Sequence, residues 1–170
     1  MLEWLPYDRQ AAVAYAHKWA YSRNPVFYDY EAIGGDCTNF ASQCLYAGTG
    51  IMNFEPVFGW YYVNPNDKAP AWTGVDYFYR FLIRGEHSVG PFAASVPLQF
   101  LRPGDFVQLR FQKDTFSHTP VVVATGRIPT LENTLVAAHS YDADWRPLSS
   151  YVFDEIRFLH ILGVYRQTGT

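Results

Sequence analysis

The hydrophobic pattern of this chain changes period midway, and that switch limits the folds open to it. Up to Arg84, apolar residues recur at three- and four-residue spacing. From Phe106 to Arg166 they alternate, or run in short β-branched stretches. Helices first and antiparallel strands after give an α+β architecture. Residues 8–22 are an expected helix, with Asp8 as N-cap, a stripe of Ala12, Val13, Ala16, Trp19 and Ala20, and a stop at Asn24-Pro25. Residues 37–47 form a second, closed by Gly48. A third runs over 73–84, where Thr73 and Asp76 make a capping-box-like start and Gly85 a stop.

Between them, 49–71 reads as irregular, broken by Pro56, Gly59, Pro65 and Pro70. Strands are expected over 106–111, 118–125, 134–140 and 157–166. The turn Leu101–Asp105 leads into the first, and a hairpin loop at 113–117 joins the first two. Pro120 has no N–H to give to a ladder, which puts its strand at an edge or in a bulge. No repeat or linker divides the 170 residues, so they read as one domain, 1–170. A chain of this length buries roughly two thirds of its unfolded surface and needs no metal or disulfide staple.

Charge and hydropathy exclude several classes. A net charge of −3 offers no basic surface for nucleic acid. No run approaches the roughly 18 apolar residues of a membrane span. The opening residues lack a basic segment followed by an apolar run, so no signal peptide is expected; a cytoplasmic chain and a domain of an exported one both fit. Aromatic residues reach 18%. They imply a dense core or a groove lined with flat rings.

Cys37 and Cys44 are the only thiols. Seven helical residues span about 10.5 Å, beyond the roughly 7 Å that bridged Cα atoms allow. They therefore cannot pair if the helix forms. Two cysteines without further paired ligands also make a poor zinc site. Cys44, among Phe40, Ala41, Leu45 and Ala47, reads as a small core hydrophobe. Cys37 sits in the first helical turn behind Gly34, Gly35 and Asp36. There, unpaired amides and the helix dipole lower a thiol's pKa. Asp36 is the natural N-cap, and the glycines would let a substrate backbone approach.

A nucleophilic thiol also needs a base. His17 reads as a boundary residue, His87 as solvated and His160 as a hydrogen-bonded sheet residue. His118 and His139 lie at strand ends. If His118, Val122 and Ala124 on one strand and Leu135, Ala137 and His139 on the next turn toward the Cys37 helix, two imidazoles approach one thiol. Triad logic then makes Cys37 the nucleophile, His118 its ion-pair partner and acid, and His139 the group that orients His118, with Asp142 or Asp144 as alternatives for that last role. The Cys37 N–H is a candidate oxyanion donor, with Asn39 or a tyrosine of the 28–30 loop as a second. Asp36, Asn39, Trp60 and Trp72 are candidate substrate contacts. A metal site from His118, His139 and Asp142 matches no compact ligand spacing, and nothing calls for a cofactor.

The run Asp36-Cys37-Thr38-Asn39-Phe40-Ala41-Ser42-Gln43, with Asn24-Pro25 upstream, resembles a bacterial amidase-domain family of papain-like cysteine hydrolases. That family is related to the NlpC-type and CHAP cell-wall amidohydrolases. Trp60-Tyr61-Tyr62, Trp72, Leu101–Asp105, Ser117-His118 and Ala138-His139-Ser140 follow in the family's order, so the likeness covers nearly the whole chain. It implies a papain-like α+β fold with N-terminal helices packed on a C-terminal antiparallel sheet. It also implies catalytic Cys37 and His118, a third polar residue at His139, and amide hydrolysis of peptide or peptidoglycan-derived substrates. Gly35 departs from the tyrosine that NlpC-type enzymes carry there. Two other readings use the same residues: acyl transfer to an amine, and a non-catalytic module stacking Trp60, Tyr61, Tyr62, Trp72 and Trp145 on glycan or peptide.

Overall fold

The computed structural model describes residues 1–169. Its elements are β1 (Leu2–Leu5), α1 (Arg9–Trp19), α2 (Cys37–Thr49), β2 (Tyr62–Asn64), β3 (Asp67–Lys68), α3 (Pro70–Thr73), α4 (Val75–Leu82), β4 (Gly90–Ser95), β5 (Phe106–Arg110), β6 (Val121–Ala124), β7 (Leu135–Ala138), β8 (Ala143–Pro147) and β9 (Glu155–Gln167). The main sheet runs β1-β9-β5-β6-β7-β8, with β4 also on β9, and all its pairings are antiparallel. β9 pairs with β5 along its first half, and with β4 and β1 along its second. The α+β class is as the period switch implies.

The pleat sends alternate residues to opposite faces. Phe106, Val121, Val123, Ala137, Leu159 and Ile161 join one buried cluster with Ala16 of α1 and Ala20 just beyond it, Phe40, Cys44 and Leu45 of α2, and Phe78 and Phe81 of α4. Val107, Leu109, Val122 and Val136 face the other way and pack with Leu101 and Leu148. Buried apolar side chains of this kind contribute about 1.5–3 kcal/mol each. The helices therefore cover one face of the sheet, and loop segments cover the other.

Several expectations need correction. Asp8 caps α1 by accepting from the Ala11 amide, but α1 ends at Trp19 rather than residue 22. α2 runs through Gly48 and stops at Gly50, whose φ of 65° is the left-handed closure that Cβ disfavours. Thr73 ends α3 and caps nothing; its hydroxyl accepts from Lys68, and the Asp76 carboxylate pairs with Arg80 and Arg157. The segment read as irregular holds the β2–β3 hairpin. β1, β4 and β8 are additional strands, and β1 precedes the helices. Pro120 lies neither at an edge nor in a bulge. The β5–β6 register is the same at Phe106–Val121 and at Leu109–His118, and Pro120 interrupts the ladder between them.

Candidate active site

Cys37 is the first residue of α2, 7% exposed, and neither cysteine is bridged. Its Sγ lies 3.7 Å from the Thr38 hydroxyl and 3.8 Å from the Ser117 carbonyl. The first turn of α2 is fixed against the segment leading into β6 by a 3.0 Å bond between the Thr38 and Thr119 hydroxyls. Burial pushes the Cys37 thiol above its ordinary pKa and nearby Asp36 adds to this; the Thr38 hydroxyl and the Thr119 and Thr38 amides pull it back only in part. The expectation of a lowered thiol pKa is thus reversed, because desolvation outweighs the helix terminus. Cys44 is fully buried, as read, and its thiol is raised further.

The two imidazoles do not converge. Thr119, Val121 and Val123 face α2, so His118 and Val122 face the opposite cluster, where the His118 ring lies 5.7 Å from that of Tyr151 and 6.3 Å from that of Phe111. His139 falls on the helix face with Ala137 and stacks on Phe40 at 4.0 Å. One residue of strand parity separates the observed arrangement from the expected one. His139 does not orient His118: its Nδ1 meets Asp36 Oδ2 at 2.5 Å and its Nε2 meets the Trp19 carbonyl at 2.7 Å. The Trp19 carbonyl can only accept, so Nε2 is the ring nitrogen that donates to it. Neither imidazole is hydrogen-bonded to the Cys37 sulfur. Burial, with the charge of Arg146, holds His118 down at about 4, so it is a neutral imidazole at pH 7.

Asp36 precedes Cys37 but does not cap the helix with its side chain. Oδ1 accepts from the Tyr30 amide and the Asn39 Nδ2, each at 2.8 Å, and Oδ2 accepts from His139. Arg23 approaches the same oxygen at 3.7 Å and pairs with Asp142 at 2.8 Å. Asp144 pairs with His17, which stacks on Trp145. Neither acid is therefore free to orient His118. Asn39 spends Nδ2 on Asp36 and Tyr28 and its Oδ1 on Trp72, which removes it as an oxyanion donor. Trp60 and Trp72 are fully buried, their indoles bonded to Ser42 and Asn39. These aromatics and Asp36 are core, not substrate contacts, because each polar handle finds an internal partner.

A cavity of about 540 Å³ is lined by Ser117 and His118, by Phe111 and Tyr151, and by Ser140 and Arg146 among others; Cys37 is not in its wall and reaches it only through the Ser117 carbonyl. Ser140 accepts from the Asp36 amide and donates to Glu31. A Cβ on Gly35, whose φ is 99°, would meet Ser140 Oγ at 3.1 Å, so glycine lets this loop close against β7. Ser140 and Tyr141 both have positive φ, 62° and 63°, in a turn where Asn-Gly is the usual signal. Without that signal the residues give no warning of the turn. Arg146 and Tyr151 are cavity residues that the motif reading missed, and Ser140 was in a quoted motif without a role.

No helix among the described residues is long and apolar enough to cross a membrane, and no cluster there could hold a metal ion. The family model described as "Putative amidase domain" matches residues 6–162. The uncharacterized protein YhbB of Bacillus subtilis is 36% identical over 146 residues, covering 82% of this chain and 43% of that protein. The chain thus spans less than half the length of the curated relative it matches. No solved structure matches it. With the family model spanning nearly every element of the fold, this chain belongs to the amidase-domain family, whose name denotes a hydrolase.

Proposed function

We propose that the chain is a papain-like, cysteine-dependent amide hydrolase that acts on peptides of the peptidoglycan type. One observation carries this reading: the Cys37 sulfur, at the start of α2, rests on the carbonyl of Ser117, and Ser117 and its neighbour His118 both line a cavity, so the thiol lies one residue behind the cavity wall. The likeness to cell-wall amidohydrolases supplies the substrate class.

Catalysis starts from a neutral thiol and a neutral imidazole. It requires the His118 ring to turn toward the sulfur, since the two are not bonded in the described geometry. His118 then takes the thiol proton as Cys37 attacks the amide carbon, and a C–S bond forms. The first-turn amide of Cys37, which has no intrahelical acceptor, faces the oxyanion. His118 returns the proton to the leaving amine as the C–N bond breaks. Water, deprotonated by His118, then cleaves the thioester and restores the thiol. Asp36 and His139 act as positioning residues, holding the loop that presents Cys37.

The test is release of new amino groups from digested cell wall. The wild-type protein releases them, whereas Cys37→Ala, folded by circular dichroism, does not. Release by the variant at the wild-type rate would remove Cys37 as nucleophile. An added amine appearing in the product would identify acyl transfer instead.

A further inference from the structure

Arg146, on β8, is a cation without a counter-ion. Its Nε donates to the Ser150 hydroxyl at 2.7 Å and its Nη2 to the Ser150 carbonyl at 3.3 Å, and its guanidinium lies over the Tyr151 ring at 3.6 Å. No carboxylate lies within ion-pair distance of it among the described residues. The other arginines with resolved partners differ. Arg9 pairs with Asp105, Arg23 with Asp142 and Arg157 with Asp76. Arg84, Arg102 and Arg127 also lack a carboxylate among the described residues, but Arg84 spends its guanidinium on the carbonyls of Phe81, Pro91, Ser88 and Val89, and neither Arg102 nor Arg127 lines this cavity. Arg146 keeps its charge and the donors of Nη1, and it keeps them in the wall of the cavity that holds His118.

The surroundings narrow what that charge is for. Phe111, Tyr151 and Val152 give the cavity apolar walls, while Ser117 and Ser140 give it hydroxyls. The Tyr151 hydroxyl is buried under Arg146, whose positive charge pulls its raised pKa part of the way back. A planar fork against an apolar wall matches a carboxylate on an otherwise apolar chain. We infer that Arg146 is the specificity residue of this cavity and that its substrate is a peptide carrying a carboxylate next to the scissile amide. This rests on the amide-hydrolase reading for what is cleaved, but not for what is bound. It also ties binding to chemistry. The Arg146 charge is one of the two influences that hold His118 down at about 4, so a carboxylate that neutralises Arg146 makes the imidazole a stronger base once substrate is seated.

The experiment uses three acetylated tetrapeptides: one with an internal glutamate and a C-terminal amide, its glutamine isostere, and that isostere with a free C-terminal carboxylate. Cleavage is followed as kcat/KM for wild type, Arg146→Gln and Arg146→Lys, and binding by calorimetry on Cys37→Ala. Wild type is expected to favour one carboxylate peptide over the neutral isostere by about ten- to hundredfold, and the favoured arm tells side chain from chain terminus. Arg146→Gln brings that ratio to about one, chiefly through KM, and Arg146→Lys keeps part of it. In wild type the acid limb of kcat for the carboxylate peptide lies at higher pH than that of kcat/KM, and this separation disappears in Arg146→Gln. Cleavage of all three peptides at equal rates, or a preference that survives Arg146→Gln, overturns the inference and leaves the hydrolase standing. No cleavage, with carboxylate-selective binding lost on adding Arg146→Gln to the Cys37→Ala protein, overturns the hydrolase and supports the inference. Neither cleavage nor selective binding overturns both.

Discussion

Asp36 and His139, 103 residues apart in the chain, meet at 2.5 Å with both side chains 1% exposed. The pair closes a loop: His139 directly follows β7, and Asp36 is the residue before Cys37. The same carboxylate also gathers the Tyr30 amide and Asn39. The position of the thiol is therefore set from the sheet, through one carboxylate.

Removing either member leaves a buried polar group unpaired. His139→Asn and Asp36→Asn are each expected to destabilise the protein by about 3–5 kcal/mol. Urea unfolding measures this. The double variant should lose less than the sum of the singles, because the second change removes a group already stranded. Additive losses would show that the two side chains are not coupled.

A second buried carboxylate does comparable structural work just before β5. Asp105 is fully buried and accepts from Arg9 and the Arg102 amide, and from His160 and the Ile161 amide, all within 2.9 Å. It joins α1, the turn before β5, and β9. Asp105→Ala strands four donors and is expected to cost about 3 kcal/mol or more in urea, with no effect that depends on substrate. A loss below 1 kcal/mol would show that water replaces the carboxylate.

What the sequence made legible follows from short-range physics. The start of α2 at Cys37 was readable from the glycine pair, Asp36 and the helical spacing behind them, all local. The side of the sheet that His118 faces was not, since it depends on register across the 113–117 loop and a shift of one residue inverts it. Trp60 and Trp72 were readable as large rings of a core or a groove, and the choice between the two was not local, because their indole partners Ser42 and Asn39 are distant in the chain. β4 begins Gly90-Pro91 and carries two alanines, so neither propensity nor alternation marks it. Pairing with β9 makes it a strand.

Thiol labelling reads the electrostatics of the site directly. Thiolate is the reactive form. With burial pushing both thiols upward, native Cys37 is expected to react with iodoacetamide at least tenfold more slowly at pH 7.5 than in urea, and Cys44 more slowly still. The Cys37 rate should climb as pH passes 9. Fast labelling of native Cys37 at pH 6 would instead reveal a standing thiolate–imidazolium pair.

His118 gives the fold a specific weakness toward acid. In the unfolded chain its imidazole titrates near 6.5, and in the folded protein burial and Arg146 lower this to about 4. Between those values the unfolded chain binds a proton that the folded one refuses, so stability rises with pH there and is lost as pH falls through that window. A shift of this size corresponds to about 3 kcal/mol. Urea midpoints measured from pH 7 to pH 4 should fall for wild type and fall less steeply for His118→Gln, which keeps a polar side chain of similar size but takes up no proton. Parallel curves for the two proteins would mean that His118 is solvated in the folded state, and that its place against Tyr151 and Arg146 does not exclude water.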